Sequence, residues 1–195
     1  MPLRSLRRVV LDTSFFVNPV IGEKLYSTSE AVKMFIEAAN SLNLEFYMPV
    51  STAKELLKYI DESELTLLRT LVLFKSPSRL ELTVPAQFLY DYIEEMRARI
   101  NKGLRVAEEA ARSTEPEEIK IRRLREKYRE ALREGIVDSV EDLDVLLLAK
   151  ELEGAVVSSD KGVIRWAEKL GVGVIESSIF WQLILKKSLG RESLV

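Results

Sequence analysis

The sequence predicts an α/β protein, a doubly wound parallel sheet of about four strands into which a long α-helical hairpin is inserted. Three observations carry this prediction. Short β-branched runs alternate with stretches of helical spacing near both ends of the chain. These runs are followed directly by polar residues, as buried parallel strands are. The middle of the chain holds two long amphipathic patterns with no strand between them.

The first part of the chain alternates strands with helices, and each expected element has a local reason. Apolar residues spaced by three or four predict helices, and Pro49 stops the second strand. Serines that precede helical patterns are plausible N-caps. We expect, in order, a strand over 8–12, a helix over 30–42, a strand over 44–50, helices capped by Ser51 and Ser63, the second running to residue 74, and a short extended piece over 79–84.

The middle of the chain predicts two antiparallel helices. Residues 86–112 and 117–134 each place apolar side chains on one face, and the helix-breaking run STEPEE lies between them. We therefore expect the chain to divide into three parts. These are a first part of the core over 1–85, a hairpin insertion over 86–135, and a second part of the core over 136–190.

The α/β pattern then resumes. Ser139 and Asp142 form an S-x-x-D signal that predicts the start of a helix. Alternation of apolar runs and turn residues predicts the elements that follow. We expect a strand over 155–159, a helix over 161–170, a strand over 171–177 and a closing helix over 179–187.

Composition excludes several kinds of chemistry. The 195 residues include no histidine and no cysteine, which excludes disulfides, thiolate metal sites and Ser-His-Asp or Cys-His nucleophile pairs. The net charge is −2, so any nucleic-acid contact must come from a local basic patch. The apolar run after the basic amino end is too short for a signal peptide or a membrane span, and we expect a cytoplasmic protein with no membrane partner.

Acidic residues at the expected strand ends are the main candidates for chemistry. Asp12 and Asp160 each follow a β-branched run, and open α/β sheets bind ligands at the carboxyl ends of adjacent strands. Carboxylates that converge there repel one another unless a cation neutralises them. All-oxygen ligation favours Mg²⁺ or Mn²⁺ over zinc. The pattern therefore indicates a divalent-metal site for phosphodiester chemistry.

Each acid also has a purely structural explanation. Asp12 and Asp160 could cap turns, Asp142 could cap its helix, and Asp138 could be a loop acid. Asp144 is the hardest to explain this way. It lies among leucines and valine, no basic residue is near it in the sequence, and a buried charge needs a partner or a metal.

Four segments in this order carry a family resemblance: LDTS, STAKEL, DVLLLA and VVSSDKG. They resemble the four acidic motifs of the PIN-domain nucleases, which correspond here to Asp12, Glu55, Asp144 and Asp160. The phrases RINKGLRVAEEA and RLREKYREALREGIVDSVEDLDVLLLA of the insertion resemble the HARP family, the minimal protein-only ribonuclease P enzymes also labelled RNA ligase partner proteins. The resemblance covers nearly the whole chain.

The resemblance implies a Mg²⁺-dependent endonuclease that removes the 5′ leader from precursor tRNA. Carboxylates that hold cations can support such hydrolysis without a histidine. Catalytic residues are then expected to be Asp12, Asp138, Asp142, Asp144 and Asp160. The metal ligands among them are expected to be Asp12, Asp142, Asp144 and Asp160, with Glu55 in the outer shell.

The second helix of the hairpin is strongly basic. Residues 119–133 contain seven basic and two acidic side chains, a local charge of +5. A solvated face with ion pairs along the helix would explain this pattern. Beside a nuclease core, however, RNA binding needs phosphate-contacting cations. The expected RNA contacts are Arg122, Arg123, Arg125, Lys127, Arg129 and Arg133.

The apolar face of the hairpin predicts self-association. A protruding helix pair cannot bury all of its own apolar surface, which here includes Tyr92, Met96, Ile100, Tyr128 and Leu132. The resemblance likewise implies homodimers that assemble into a larger homo-oligomer through the hairpin. Two other functions stay open at this stage. One is a generic PIN-domain ribonuclease acting on other RNA, and the other is a non-catalytic RNA-binding partner of an RNA ligase.

Overall fold

The computed structural model describes residues 7–17, 19–40, 42–133 and 139–192. For residues 132–133 and 187–192 it describes the main chain only. The described residues form two compact units, one within Met1–Thr83 together with Ser139–Val195, and the other within Val84–Asp138.

The first unit is built on a parallel five-stranded sheet. Seven strands are present in the described part of the chain, of which β2 and β3 form a separate antiparallel pair. The five others follow the order β5-β4-β1-β6-β7. The strands are β1 (Arg8–Leu11), β2 (Val20–Ile21), β3 (Lys24–Leu25), β4 (Glu45–Met48), β5 (Val72–Phe74), β6 (Ala155–Ser158) and β7 (Gly173–Glu176).

Helices fill the connections. The long sheet crossovers are helical, which is the doubly wound pattern that was predicted, and the fold class is confirmed. The helices are α1 (Thr28–Ala39), α2 (Val50–Leu56), α3 (Glu62–Leu68), α4 (Ala86–Arg112), α5 (Glu117–Arg133), α6 (Val140–Glu151), α7 (Lys161–Leu170) and α8 (Ser177–Glu192).

Strand β1 occupies the centre of the sheet. Val9 pairs with Phe46 of β4 on one side and with Ala155 of β6 on the other. Val9, Val10 and Leu11 are fully buried, as expected of a β-branched run paired on both edges. From β1 the chain first adds β4 and β5 on one side of the sheet and later adds β6 and β7 on the other side. The boundary between β1 and β6 is therefore the topological switch point of the sheet. Ligands bind at such a switch point, beyond the carboxyl ends of the strands.

An aromatic cluster fixes the backbone just beyond β1. Phe15 stacks on Trp181 with ring centroids 4.6 Å apart and contacts Phe35 edge-on at 5.7 Å. The indole N–H of Trp181 donates a hydrogen bond to the Phe15 carbonyl. All three rings are buried, so the short 3-10 helix Thr13–Phe15 is anchored in the core. The position of Asp12, between the end of β1 and this short helix, is therefore fixed by the core.

The second unit is a hairpin of α4 and α5, with bounds close to those predicted. Gly103 of α4 lies against the Tyr128 ring of α5. A Cβ at position 103 would come within 2.8 Å of the Tyr128 ring, so only glycine allows this helix contact at its present distance.

Several local predictions were wrong. The expected helix after Ser63 ends at Leu68, and residues 72–74 form the strand β5, paired with β4. Tertiary pairing overrides the helical spacing there. Asp61 rather than Ser63 caps α3, and Pro49 rather than Ser51 precedes α2, because the Ser51 hydroxyl is used elsewhere. Residues 79–84 contain a turn and no strand.

Candidate active site

Asp12 is a buried carboxylate at the switch point. It is 5% exposed and follows the last residue of β1. Its Oδ2 accepts hydrogen bonds from the Ser14 hydroxyl at 2.6 Å and from the Ser158 hydroxyl at 2.7 Å. Its backbone N–H bonds to the Val157 carbonyl of β6. The carboxylate is thus held by hydroxyls, and no described lysine or arginine lies within ion-pair distance of it.

Asp160 stands beside Asp12 through a shared serine. The Ser158 hydroxyl that donates to Asp12 accepts the backbone N–H of Asp160 at 2.9 Å. Asp160 is exposed, and its Oδ1 accepts the N–H groups of Gly162 and Val163 at 2.6 and 3.0 Å. It is therefore the N-cap of α7 as well as an acid at the site. Among the described residues it too has no basic partner.

Electrostatics at this point disfavour two bare charges. Burial raises the pKa of Asp12 above its ordinary value of 3.8, and the nearby Asp160 charge raises it further. Hydrogen bonds from Ser14 and Ser158 act in the opposite direction but do not outweigh burial. A cation placed between the two carboxylates would relieve both the desolvation and the repulsion.

Glu55 reaches the same region from α2. Its Oε2 accepts a 2.9 Å hydrogen bond from the hydroxyl of Thr13, the residue that follows Asp12. Its other oxygen lies 3.6 Å from the ammonium group of Lys58. Glu55 is therefore linked to Asp12 by one intervening residue, consistent with a position at the edge of the site.

Asp144 is buried and has a basic partner. It is 2% exposed, and the Arg79 guanidinium donates to both of its oxygens, with Nη2 at 2.8 and 2.7 Å and Nε at 3.1 Å. The Ser51 hydroxyl adds a bond of 2.7 Å. The carboxylate in turn raises the pKa of Arg79. No basic residue lies near Asp144 in the sequence, but the fold brings Arg79, 65 residues away, to its carboxylate.

A pocket adjoins Glu55 and Asp144. Glu55 and Asp144 line it together with Lys54, Lys58 and Arg79. It therefore brings acidic side chains from α2 and α6 and basic ones into one open depression of the first unit.

The two other expected acids stand differently. Asp142 lies in the first turn of α6, half-buried, and its backbone N–H bonds to the Ser139 hydroxyl as the capping signal predicted. Asp138 lies outside the described residues.

The donor chemistry fits a hard divalent ion. Asp12, Asp160, Glu55 and Asp144 offer only oxygen atoms, the ligands that Mg²⁺ and Mn²⁺ prefer. Over residues 7–133 and 139–192, with the gaps given above, no three acidic side chains approach closely enough to form a ready ligand set. Asp12 and Asp160 have no basic partner among the described residues that a cation would have to displace, whereas a cation could bind Asp144 only if Arg79 moved away.

Comparisons with known proteins identify the family of the chain. The family model of the PINc domain ribonucleases matches residues 8–189. A protein of Thermodesulfovibrio yellowstonii named RNA-free ribonuclease P is 45% identical over 188 residues, which covers 93% of this chain and 95% of that protein. The protein of the same name from Thermococcus kodakarensis is 43% identical over 185 residues, covering 91% and 93%. The chain belongs to the RNA-free ribonuclease P family of PIN-domain ribonucleases.

Membership of the RNA-free ribonuclease P family confirms the resemblance drawn from the four acidic segments and identifies an endoribonuclease. PIN-domain nucleases use divalent metal ions, in keeping with the oxygen donors described above. A PilT N-terminus domain protein from Sulfolobus solfataricus P2 is 15% identical, with a TM-score of 0.44 and 93% of each chain covered. In the part of the chain that the structure describes, no helix has the length and apolarity to cross a membrane.

The basic helix of this family member divides into paired and unpaired cations. Arg123 forms an ion pair with Glu115, and Lys127 lies 3.1 Å from Glu109. Arg122, Arg125 and Arg129 are exposed and form no ion pair with any described residue. The side chain of Arg133 lies outside the described residues.

Several residues of the site were not foreseen from the sequence. Ser14 and Ser158 lie inside the quoted segments LDTS and VVSSDKG, so their hydroxyls could have been considered with the neighbouring acids. Arg79 carried no signal, because it lies 65 residues from Asp144 in a stretch without regular structure.

Proposed function

We propose that the protein is a ribonuclease P that removes the 5′ leader of precursor tRNA, with Mg²⁺ or Mn²⁺ as its cofactor. Family membership supports the reaction class, because relatives at 42–45% identity over most of their length are named RNA-free ribonuclease P. The substrate places the reaction in the cytoplasm.

One observation carries the site assignment. Asp12 and Asp160 converge on Ser158 at the carboxyl ends of adjacent strands, and neither has a basic partner among the described residues. Burial and mutual repulsion raise the pKa of Asp12, so the pair is most stable with a cation between its carboxylates.

Each acid then has a distinct role. Asp12 and Asp160 hold the cation, and Asp144 joins them from α6. Asp142 and Asp138 orient water at the scissile phosphate, and Glu55 acts from the outer shell through Thr13. When bound, the cation supplies Lewis acidity and charge neutralisation at the phosphate.

The reaction balances without a histidine. A water oxygen attacks the phosphorus, the bond from phosphorus to the 3′ oxygen of the leader breaks, and that oxygen takes up a proton. The products are a leader with a 3′ hydroxyl and a tRNA with a 5′ phosphate. The acidic residues above are the groups proposed to accept the proton of the attacking water.

RNA contacts are proposed for the basic helix. Arg122, Arg125 and Arg129 are exposed and unpaired within the described chain, and arginine suits the phosphates and 2′-hydroxyls of a folded RNA. Arg123, Lys127 and Arg133 belong to the same proposed surface, although Arg123 and Lys127 already have acidic partners.

A second copy of the chain is the proposed partner of the hairpin's apolar face. Leu89, Ile93, Ile100 and Leu104 of α4 are 53–63% exposed and recur at helical spacing. Met96, Tyr92 and Tyr128 are 36%, 40% and 43% exposed, and Leu132 is proposed from the sequence alone. A continuous apolar stripe of this length is typical of a protein interface. We propose a homodimer that assembles further through this face.

A single cleavage assay tests the function. A 5′-labelled precursor tRNA is incubated with the protein and Mg²⁺, in parallel with an unstructured RNA of the same length. One cut at the mature 5′ end supports the proposal. Scattered cuts in both RNAs indicate a generic PIN ribonuclease, and binding without cleavage indicates a partner of an RNA ligase.

Two matched variants test whether cleavage depends on Asp160. Asp160→Asn keeps an N-cap for α7, since asparagine caps as well as aspartate, and it should reduce the cleavage rate by about 10² or more. Glu168→Gln removes an exposed acid from the same helix and should leave the rate unchanged. Equal rates for the two variants would exclude Asp160 from the site.

A further inference from the structure

The Asp144 carboxylate is fully occupied by donors from the protein itself. Two guanidinium nitrogens of Arg79 and the hydroxyl of Ser51 donate four hydrogen bonds of 2.7 to 3.1 Å to its two oxygens. A cation could not share these oxygens without displacing the guanidinium. Arg79 and a divalent ion are therefore alternative partners of the same carboxylate.

The Arg79 side chain is placed so that it can move away from the Asp144 carboxylate. Its side chain is 57% exposed, whereas that of Asp144 is 3% exposed. The surrounding main chain is held independently of the ion pair. The backbone N–H of Ser78 bonds to Glu151 at 2.6 Å, and the Lys75 ammonium lies 2.7 Å from the same carboxylate. The guanidinium can thus swing into the pocket shared with Lys54 and Lys58 while its own backbone stays in place.

The three acids proposed to hold the cation differ in whether a basic side chain neutralises them. Asp12 and Asp160 have no basic partner in the described chain, and Asp144 has one with bidentate geometry. A buried carboxylate without compensation is strongly destabilising. Ionised Asp144 is therefore stable only beside a positive charge, but that charge need not always be the same one.

We infer that Arg79 is an exchangeable counter-ion, a positioning residue that neutralises Asp144 until a divalent cation binds and then yields the carboxylate to it. This inference rests on the proposed function, since it takes Asp144 as a ligand of the cation. A permanent structural ion pair is the alternative. The two differ in whether a cation can replace the guanidinium.

Mn²⁺ binding to Arg79→Ala tests the exchange. If Arg79 covers Asp144 for about nine-tenths of the time, its removal raises the apparent affinity for Mn²⁺ about tenfold. Calorimetric titration and the electron paramagnetic resonance signal of free Mn²⁺ measure that affinity without RNA. The melting temperature of Arg79→Ala should fall without divalent ions and return towards the wild-type value when Mn²⁺ is added.

Two further variants make the test selective. Lys75→Ala breaks an ion pair on the same segment, and its loss of stability should persist in Mn²⁺ because Glu151 is not at the site. Arg79→Lys keeps the positive charge but cannot make the bidentate guanidinium contact. Its Mn²⁺ affinity should lie between those of Arg79→Ala and the wild type. Arg79→Lys also serves if Arg79→Ala fails to fold.

The outcomes separate the inference from the proposed function. Mn²⁺ affinities that are equal in wild type, Arg79→Lys and Arg79→Ala overturn the exchange and leave the metal site intact. An Arg79→Ala protein that Mn²⁺ does not restabilise also overturns it. If no variant binds Mn²⁺, and Asp12→Asn behaves like the wild type in the titration, the proposed metal site fails as well.

Discussion

The Ser158 hydroxyl donates a 2.7 Å hydrogen bond to the buried Asp12 carboxylate, across 146 residues of sequence. The contact follows from the register of the sheet, in which Leu11 of β1 pairs with Val157 of β6. The residues that follow these two, Asp12 and Ser158, therefore meet at the same edge. Because Ser158 also accepts the backbone N–H of Asp160, a single hydroxyl contacts both residues, neither of which has a basic partner in the part of the chain that the structure describes.

Replacement of Asp12 by asparagine should stabilise the protein in EDTA. Burial raises the pKa of Asp12, so the folded state holds this proton more tightly than the unfolded chain. The associated stability is fully present below the unfolded pKa and is lost as pH rises through the folded pKa. The gain in melting temperature of Asp12→Asn over wild type should therefore grow as the pH rises from the unfolded pKa through the raised folded pKa.

An added divalent cation should make the wild type more stable than Asp12→Asn. Mg²⁺ or Mn²⁺ at about 100 times its Kd stabilises a protein that binds it by about 2.7 kcal/mol, and Asp12→Asn should gain much less. Cleavage should be lost at every pH. A melting-temperature difference that is independent of pH, or an equal response of both proteins to the cation, would contradict a buried ionised ligand at position 12.

The central architecture was predictable because its signals are local. β-branched runs and helical spacing lie within a few residues of the elements they specify, and α7 begins and ends where they indicated. Asp12 and Asp160 could be placed together for the same reason, since parallel strands align their ends.

Contacts between distant segments were not predictable in this way. Strand β5 looked helical because Leu71 continues the spacing of Leu67 and Leu68 at the end of α3, and only pairing with β4 makes residues 72–74 extended. Arg79 lies in an irregular stretch whose position depends on Glu151. Nothing near Asp144 in the sequence could reveal its partner.

Two helix ends provide a matched stability test. Glu153, two residues beyond the end of α6, lies in the left-handed region at φ 50°, and Gly171, directly beyond the end of α7, lies there at φ 72°. The same backbone hydrogen bond closes both helix ends. After α6 the N–H of Gly154 donates to the carbonyl of Ala149, and after α7 the N–H of Val172 donates to the carbonyl of Ala167. Glu153→Gly should stabilise the protein by about 1 kcal/mol, and Gly171→Ala should destabilise it by about the same amount.

Urea unfolding measures both changes against wild type. Glu153→Ala is the control, because it removes the carboxylate but retains a Cβ at positive φ, and it should bring no comparable gain. If Glu153→Ala stabilises as much as Glu153→Gly, the carboxylate rather than the backbone conformation is responsible.

Gly154 should tolerate no side chain, although its φ is ordinary. A Cβ there would lie 2.7 Å from the carbonyl oxygen of Arg8, which belongs to the central strand β1. Because both neighbours of β1 hold its backbone, Gly154→Ala should cost about 1–3 kcal/mol in the free energy of unfolding. Gly173→Ala meets only the Ala155 side chain, at 3.3 Å, and should cost clearly less. A larger loss in Gly173→Ala would show that β1 yields more easily than its pairing implies.

The arginines of α5 that form no ion pair with any described residue should determine how RNA binding depends on salt. Each phosphate contact contributes about one unit to the slope of log affinity against log salt. In an Asp160→Asn background, which prevents cleavage, Arg125→Ala should lower that slope by roughly one for precursor tRNA. Arg123→Ala is the matched control, since Arg123 is on the same helix but pairs with Glu115, and its slope should change less. Filter binding or fluorescence anisotropy over a range of KCl concentrations measures both. Equal slopes for the two variants would mean that the ion pair with Glu115 gives way to RNA, and unchanged slopes in both would remove α5 from the RNA-binding surface.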